Sequence, residues 1–377
     1  LAMIVSMGGI NSAGRSSMHH GYARMVEEAL GVEQRRRMLA ALSQLTGQTD
    51  DRSLLDGTLI RRIEANHFDP AHVAWNQRLP TRSNGSPVGF EIHRRHLPLP
   101  VPADWKLSPG EDADHVRVSI VGEQQFLLPT HREFEVKAAS QLPTGFDPTA
   151  LYASRNHPRG LAMSVYAASD ALANLGIDWD GLRARLAPDQ VSVYAGSAMG
   201  QLDDAGTGGM LKARYRGGRI TSKYCPLGFA EMPADFVNAY VLGTAGSTGA
   251  TLGACASFLY NLRCAIQDIR AGRARVAFVG AAEAPVTPEV MEGYAAMGAL
   301  ASDKALRALD GLAADATPDH RRACRPFAAN CGFTIGESAQ FLVLFDDALA
   351  VETGAEIFGA AADVFINADG YKKSISG

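Results

Sequence analysis

A thiol set where a polar, glycine-rich run turns into an amphipathic helix is placed to act as a nucleophile, and the stretch GACASF, residues 253–258, has that arrangement around Cys255. After Gly253 the apolar positions Phe258, Leu262, Ala265, Ile266 and Ile269 recur at three- and four-residue spacing, and Gly272 supplies a left-handed stop. A helix of about four turns is therefore predicted to begin at or just after Cys255. Unpaired backbone N–H groups and the positive end of the helix dipole favour thiolate over thiol at such a point. The flanking alanines leave a narrow approach open. The nucleophile elbow of the α/β-hydrolases wants glycine two residues before and two after; Gly253 meets the first position, but Ser257 occupies the second, which disfavours that chemistry. Cys225, Cys264, Cys324 and Cys331 have no comparable setting and read as ordinary small residues.

The elements around the cysteine read as an α/β fold. Ala2–Met7 is predicted as a buried strand, followed by a loop through Arg15 and helical stretches to about residue 46. A helix over Ala162–Asn174, strands at Val191–Ala195, Arg275–Gly280 and Gln340–Phe345, and a helical Asp346–Glu352 alternate in the way that suggests a mainly parallel sheet covered on both faces. Gly208 and Gly209 are read as loop, and Ile357–Ile366 as a last strand. From Asp51 to Lys137 the texture changes: eight of the 18 prolines fall between Pro70 and Pro129, which predicts a largely irregular surface insertion.

Composition narrows the function. The 377 residues are 46% hydrophobic and 20% charged, enough for a sizeable core, and a net charge of -4 gives no global field for nucleic acid or a membrane surface. The uncharged run Phe236–Leu262 is long enough to span a bilayer but holds four glycines and many hydroxyl residues, so it reads as protein core. Five cysteines without C-x-x-C or zinc-type spacing point to a reducing, cytoplasmic setting and no metal site. Nothing at the N-terminus suggests export. Lys212, Arg214, Arg216, Arg219 and Lys223 form a basic stretch without an intervening acid, readable as a solvated face or as a docking patch.

The run MPADFVNAYVLGTAGSTGATLGACASFLYNLRCAIQDIRAGRARVAFVGAAEA, Met232–Ala284, resembles the nucleophile segment of the β-ketoacyl-acyl carrier protein synthases, with Pro233 and Asn238, Ala254–Ser257, Ile269 and Gly272, and Gly280–Glu283 at the motif positions. RPFAANCGFTIGESAQFLVL, Arg325–Leu344, is similar to a second family signature, with Ala328 and Ser338 as departures; YAGSAMG (194–200) and AMIVSMGGI (2–10) match weaker landmarks.

The resemblance implies the thiolase fold, five layers α-β-α-β-α, in a homodimer, with residues 1–352 as the N-terminal half, 51–137 as an insertion, and 353–377 opening the second half. It implies a decarboxylative Claisen condensation in fatty-acid or polyketide synthesis, in which Cys255 takes an acyl group from an acyl carrier protein or acyl-CoA and its backbone N–H forms half of an oxyanion hole. Lys212, Arg214, Arg216 and Arg219 would dock the carrier protein, and no cofactor or metal is needed. The supporting histidines of the family lie in a His-Gly-Thr and a Lys-Ser-x-x-Gly-His motif; neither occurs here, only His320 follows Cys255, and Lys372 and Lys373, the latter opening the KSISG tail, are read as loop. The chain is thus expected to be a fragment or one of two chains. A non-catalytic chain-length subunit is the alternative that Cys255 speaks against, and a thiolase is a third.

Overall fold

A computed structural model describes residues 1–82, 86–368 and 370. Two compact units divide the chain, Leu1–Phe68 with Glu135 onward, and Asp69–Phe134.

In the larger unit the apolar runs form one mixed sheet. Its strands lie in the order Thr248–Gly249, Val191–Gly196, Val276–Glu283, Ser338–Asp346, Ala2–Asn11 and Gly359–Ala360, with Gly14–Arg15 folding back on Ala2–Asn11. Val191–Gly196 pairs in parallel with both neighbours, Val193 opposite Thr248 and Phe278. Every other pairing is antiparallel, among them Phe278 with Val343 and Ile10 with Ala339. The expected mainly parallel sheet is therefore corrected to a mixed one: helices at Pro288–Ala296 and Asp303–Asp310 lie between Val276–Glu283 and Ser338–Asp346, yet the chain re-enters the sheet in the antiparallel sense.

Side chains alternate between the two faces along the three central strands, and a register shift between Ile4 and Ser6 interrupts the alternation in Ala2–Asn11. Val193, Phe278, Phe341 and Val343 pack with Met163, Ala167 and Ala171 of the helix Arg159–Ala173. On the opposite face Ala277, Val279 and Leu344 pack with Ala265, Ile266 and Ile269 of the helix Ser257–Arg270. A strand buried on both sides carries apolar residues in succession, which is why these segments read as continuous apolar runs. Helix, sheet and helix make three layers.

Further expectations change in detail. Gly208 and Gly209 sit inside a helix, Thr207–Ala213, not in a loop. Of the expected strand Ile357–Ile366 only Gly359–Ala360 pairs, opposite Met3 and Ile4, so it extends the sheet already formed. Lys372, Lys373 and the rest of the KSISG tail lie outside the described residues.

The smaller unit is not irregular, as its prolines suggested. Val73–Arg82 pairs antiparallel with Glu123–Arg132, and Val88–His93, His115–Ile120 and Trp105–Pro109 form a three-stranded sheet. Pro80 and Pro129 sit in the two-stranded ribbon, where each strand has one open edge and a missing N–H costs little. Within His115–Ile120 the buried residues Val116, Val118 and Ile120 keep the two-residue period. Among the described residues none of the unit's strands joins the mixed sheet. The smaller unit is narrower than the expected insertion Asp51–Lys137: the helix Asp51–Asp56 and the strand Ile60–Arg62, paired with Ala138–Ser140, belong to the larger unit.

The first strand crosses the buried helix at van der Waals contact. A Cβ on Gly8 would lie 2.2 Å from the backbone nitrogen of Ala171, and Ser6 Oγ donates to the Ala171 carbonyl at 2.6 Å. Neither backbone can yield without breaking the sheet. Gly8→Ala should therefore destabilise the fold by about 3 kcal/mol, read as a lowered denaturant midpoint at unchanged slope; a midpoint within error of the parent would refute this packing.

Candidate active site

Cys255 lies exposed on the turn that enters the helix Ser257–Arg270, with Ala256 as the residue before the first helical turn. The helix end is where the spacing put it, and Gly272 takes the left-handed conformation expected of its stop.

Side chains of the helix's own first turns hold the turn. Thr251 N–H donates to Asn261 Oδ1 at 2.8 Å, Gly253 N–H donates to Ser257 Oγ at 3.1 Å, and that hydroxyl donates to the Ala254 carbonyl at 2.6 Å. Ala254 has φ of 49°, a left-handed conformation that costs a non-glycine residue about 1–2 kcal/mol, and these bonds offset it. A Cβ on Gly253 would lie 2.3 Å from the Tyr260 ring, so a larger residue here would have to displace that side chain. Asn261 is fully buried among apolar helix positions. That polar residue on an apolar stripe was the sequence signal for the turn's anchor, and it was missed.

Three further devices hold the segments around this turn. Asn238 receives Thr244 N–H at 3.1 Å and Thr244 Oγ1 at 2.8 Å and donates to the Thr244 carbonyl at 2.9 Å, which fixes the chain as it leaves a π-turn at Asn238–Leu242 for the edge strand. Glu283, closing its strand, accepts from Ser197 Oγ at 2.9 Å and from Ala198 N–H, so the loop after Val191–Gly196 is tied to it. Burial raises the Glu283 pKa despite these donors.

Glu337 is the third device, quoted in a motif but given no role by the sequence. It is 2% exposed and accepts from Arg159 at 2.6 and 3.1 Å, His67 Nε2 at 3.1 Å and Leu142 N–H at 3.1 Å. Burial pushes its pKa up, but the His67 hydrogen bond and the Arg159 charge overcome this and hold it at about 2. Arg159 N–H in turn donates to Asp203 at 2.6 Å.

The remaining candidates separate. Lys212 pairs with Asp204 and with Glu289, each at 2.9 Å, and Arg216 pairs with Asp204 at 2.9 Å. The acids missing from the stretch are thus brought by other segments. Arg214 and Arg219 are exposed and have no ion-pair partner among the described residues. Of the histidines, His320 is buried against Asp303 at 2.9 Å, and His157 stacks with Tyr152, Phe236 and Tyr240, where burial lowers its pKa. Burial also raises the Cys331 thiol. Among the described residues no His, Cys, Asp and Glu cluster could hold a metal ion, and no helix is long and apolar enough to cross a membrane.

Comparison with known proteins gives concordant matches. The family described as beta-ketoacyl synthase, N-terminal domain, matches residues 130–350. The chain is 48% identical to beta-ketoacyl-[acyl-carrier-protein] synthase FabY of Pseudomonas aeruginosa, with 100% of this chain and 62% of that protein aligned. It is 26% identical to 3-oxoacyl-[acyl-carrier-protein] synthase 2 of Staphylococcus aureus over 58% of this chain and 48% of that one. The crystal structure of the ketosynthase FabY from P. aeruginosa superposes with a TM-score of 0.94 at 47% identity, covering 100% of this chain and 62% of that chain. A beta-ketoacyl synthase from Burkholderia phymatum shares the fold, with a TM-score of 0.55 at 18% identity over 94% of this chain and 61% of that one. The fold is thus the thiolase-like fold of the ketosynthases, and the chain spans 62% of the length of FabY.

Because Glu337 titrates near 2 in the fold and near 4.5 when free, its contribution to stability is present in full above pH 4.5 and is lost as pH falls towards 2. Glu337→Gln should cost about 3 kcal/mol at neutral pH and flatten the acid limb of the stability profile. Urea titrations at pH 3, 5 and 7 check this; parallel profiles for parent and variant would remove Glu337 from its role.

Proposed function

The chain belongs to the β-ketoacyl synthase family, and we propose that it provides the acyl-accepting part of a condensing enzyme, with Cys255 as the nucleophile. The observation that carries the proposal is the exposed thiol on a turn pinned by Ser257 and Asn261 at the head of a helix. The Cys255 thiolate attacks the carbonyl of an acyl thioester, the carrier's sulfur leaves and takes a proton, and an acyl-enzyme results. Malonyl-carrier protein then loses carbon dioxide to give an enolate whose carbon attacks the acyl-enzyme, and the Cys255 thiolate is released. Negative charge develops on the thioester oxygen in both steps, and in this proposal the Cys255 N–H at the helix terminus receives it. Loss of carbon dioxide generates the carbanion, so the chemistry requires no metal or redox cofactor.

The name of the P. aeruginosa relative specifies acyl-carrier-protein substrates, which supports a carrier protein as the partner here, with coenzyme A as the other possible acyl donor. Arg214 and Arg219 hold the free charge of the patch, and Lys212 and Arg216 shape it while paired to Asp204 and Glu289. The resemblance further implies a homodimer, and a working thiol calls for a reducing compartment, the cytoplasm. Neither histidine motif of the family occurs in this sequence, and His320 is bound to Asp303. Acyl transfer is therefore assigned to this chain and decarboxylation to the whole protein.

Incubation of the intact protein with an acyl thioester should add one acyl mass at Cys255 and none in Cys255→Ser; an adduct mapped to Cys264 or Cys331 would overturn the assignment. Removing Arg214 and Arg219 together should lower kcat/KM for carrier-protein substrates about 3- to 10-fold at low salt and leave coenzyme A substrates nearly untouched, while removing Lys212 and Arg216 should do less. Equal losses on both substrate types would show that the stretch serves the fold or the pocket.

A further inference from the structure

A cavity of about 400 Å³ opens on the larger unit between the helix Val32–Thr46 and the buried helix Arg159–Ala173, and none of its lining residues belongs to the turn that carries Cys255. Its volume lies at the lower end of the range for small-ligand sites. One side is apolar: Leu45, Phe146, Ala150 and Leu151 line it, with the Phe146 ring edge-on to Tyr166 at 5.0 Å.

The other side is built of hydrogen-bonding groups that lack protein partners. Arg15 gives its Nε to Asp170, a carboxylate that also accepts Gly9 N–H at 2.8 Å, Ser17 N–H at 3.3 Å and Ser17 Oγ at 2.9 Å. Asp170 is thus satisfied mainly from the backbone and Ser17, and it holds the guanidinium by one edge. The two terminal nitrogens of Arg15, the Tyr166 hydroxyl, the Gln44 amide and the His20 ring have no partner among the described residues. Burial and the nearby Asp170 push Tyr166 up to about 12, so it remains an O–H donor. Burial, followed by the charge of Arg15, lowers the pKa of His20, which favours the uncharged ring.

One fixed cation with a forked pair of free N–H groups matches a single planar carboxylate. Asp147 lines the same cavity, with its Oδ1 turned to Thr149 N–H at 2.9 Å and Thr149 Oγ1 at 2.7 Å, and its negative charge opposes a doubly charged phosphate about twice as strongly as a singly charged carboxylate. We infer that this cleft is a binding site for a small carboxylic acid with an apolar tail, its carboxylate on Arg15 and Tyr166 and its tail on Leu45, Phe146 and Leu151. The site is independent of the acyl-enzyme chemistry and would stand if that assignment failed.

Octanoate is the probe, titrated into the intact protein by calorimetry. Saturable binding is expected, with 1-octanol about tenfold weaker because it lacks the charge. Tyr166→Phe should weaken octanoate about fivefold through loss of one hydrogen bond. Ala41→Trp should abolish binding by filling the cavity, and Ala150→Trp, at an exposed position of the short turn Pro148–Leu151, should do the same if the first variant fails to fold. Octanoate that binds a folded tryptophan variant as it binds the parent is occupying the acyl-receiving site, which overturns the inference. Equal affinity for octanol, or no saturable binding up to about 10 mM, also overturns it.

Discussion

A helix buried on nearly every side must dispose of its charges at its ends, and the structure depends on how Arg159–Ala173 does so. Its middle is apolar and packs directly on the mixed sheet. At its start Arg159 meets the buried Glu337, and in its last turn Asp170 gathers donors from Gly9, Arg15 and Ser17. An unpaired charge in either place would cost several kcal/mol, so the strands carrying the partners have no freedom to move separately. Ala2–Asn11 is fixed through Asp170, and the entry to Ser338–Asp346 through Glu337. These two strands are adjacent and antiparallel, and one buried helix therefore sets the register of that half of the sheet.

The same constraint reaches the thiol through a short chain of bonds. Arg159 N–H holds Asp203, the loop containing Asp203 runs back to Ser197, and Ser197 is tied to Glu283 at the end of the central strand Val276–Glu283. That strand carries the helix Ser257–Arg270 on its other face. The helix fixes the turn that bears Cys255 by way of Ser257 and Asn261. A nucleophile works when its position is determined before substrate arrives, and for the proposed nucleophile Cys255 a left-handed alanine is held against its own preference one residue earlier. The strain and the bonds that contain it lie in the same few residues.

Much of this was legible in the sequence where the physical signal is local. The helix after Cys255 follows from apolar spacing and a glycine stop, and the strands follow from compact apolar runs, since local sequence determines both. Strand direction was not legible, because parallel and antiparallel neighbours bury the same residues and differ only in how the chain connects them. The proline count misled for a related reason. Proline forbids a central strand but not a two-stranded ribbon, and Val73–Arg82 with Glu123–Arg132 is such a ribbon. Glu337, Arg159 and His67 are far apart in the chain, and no spacing rule connects them. The basic stretch looked acid-free because its acids, Asp204 and Glu289, come from outside it.

The distribution of charge also separates two demands on a condensing enzyme. Transfer of an acyl group to a thiol needs a fixed sulfur, a nearby N–H and an open approach, and the proposed assignment to Cys255 draws all three from a single turn at a helix end. Decarboxylation needs donors facing the sulfur from across the substrate, where an enolate oxygen forms. Three buried or half-buried carboxylates are engaged as acceptors of protein N–H and O–H groups: Glu283 with Ser197 and Ala198, Asp170 with Gly9 and Ser17, Glu337 with Arg159 and His67. His320 is likewise engaged by Asp303, and His157 by Tyr152. These carboxylates and the two histidines are engaged in holding the fold, so in the proposed reaction none of them is free to move the proton of the second step.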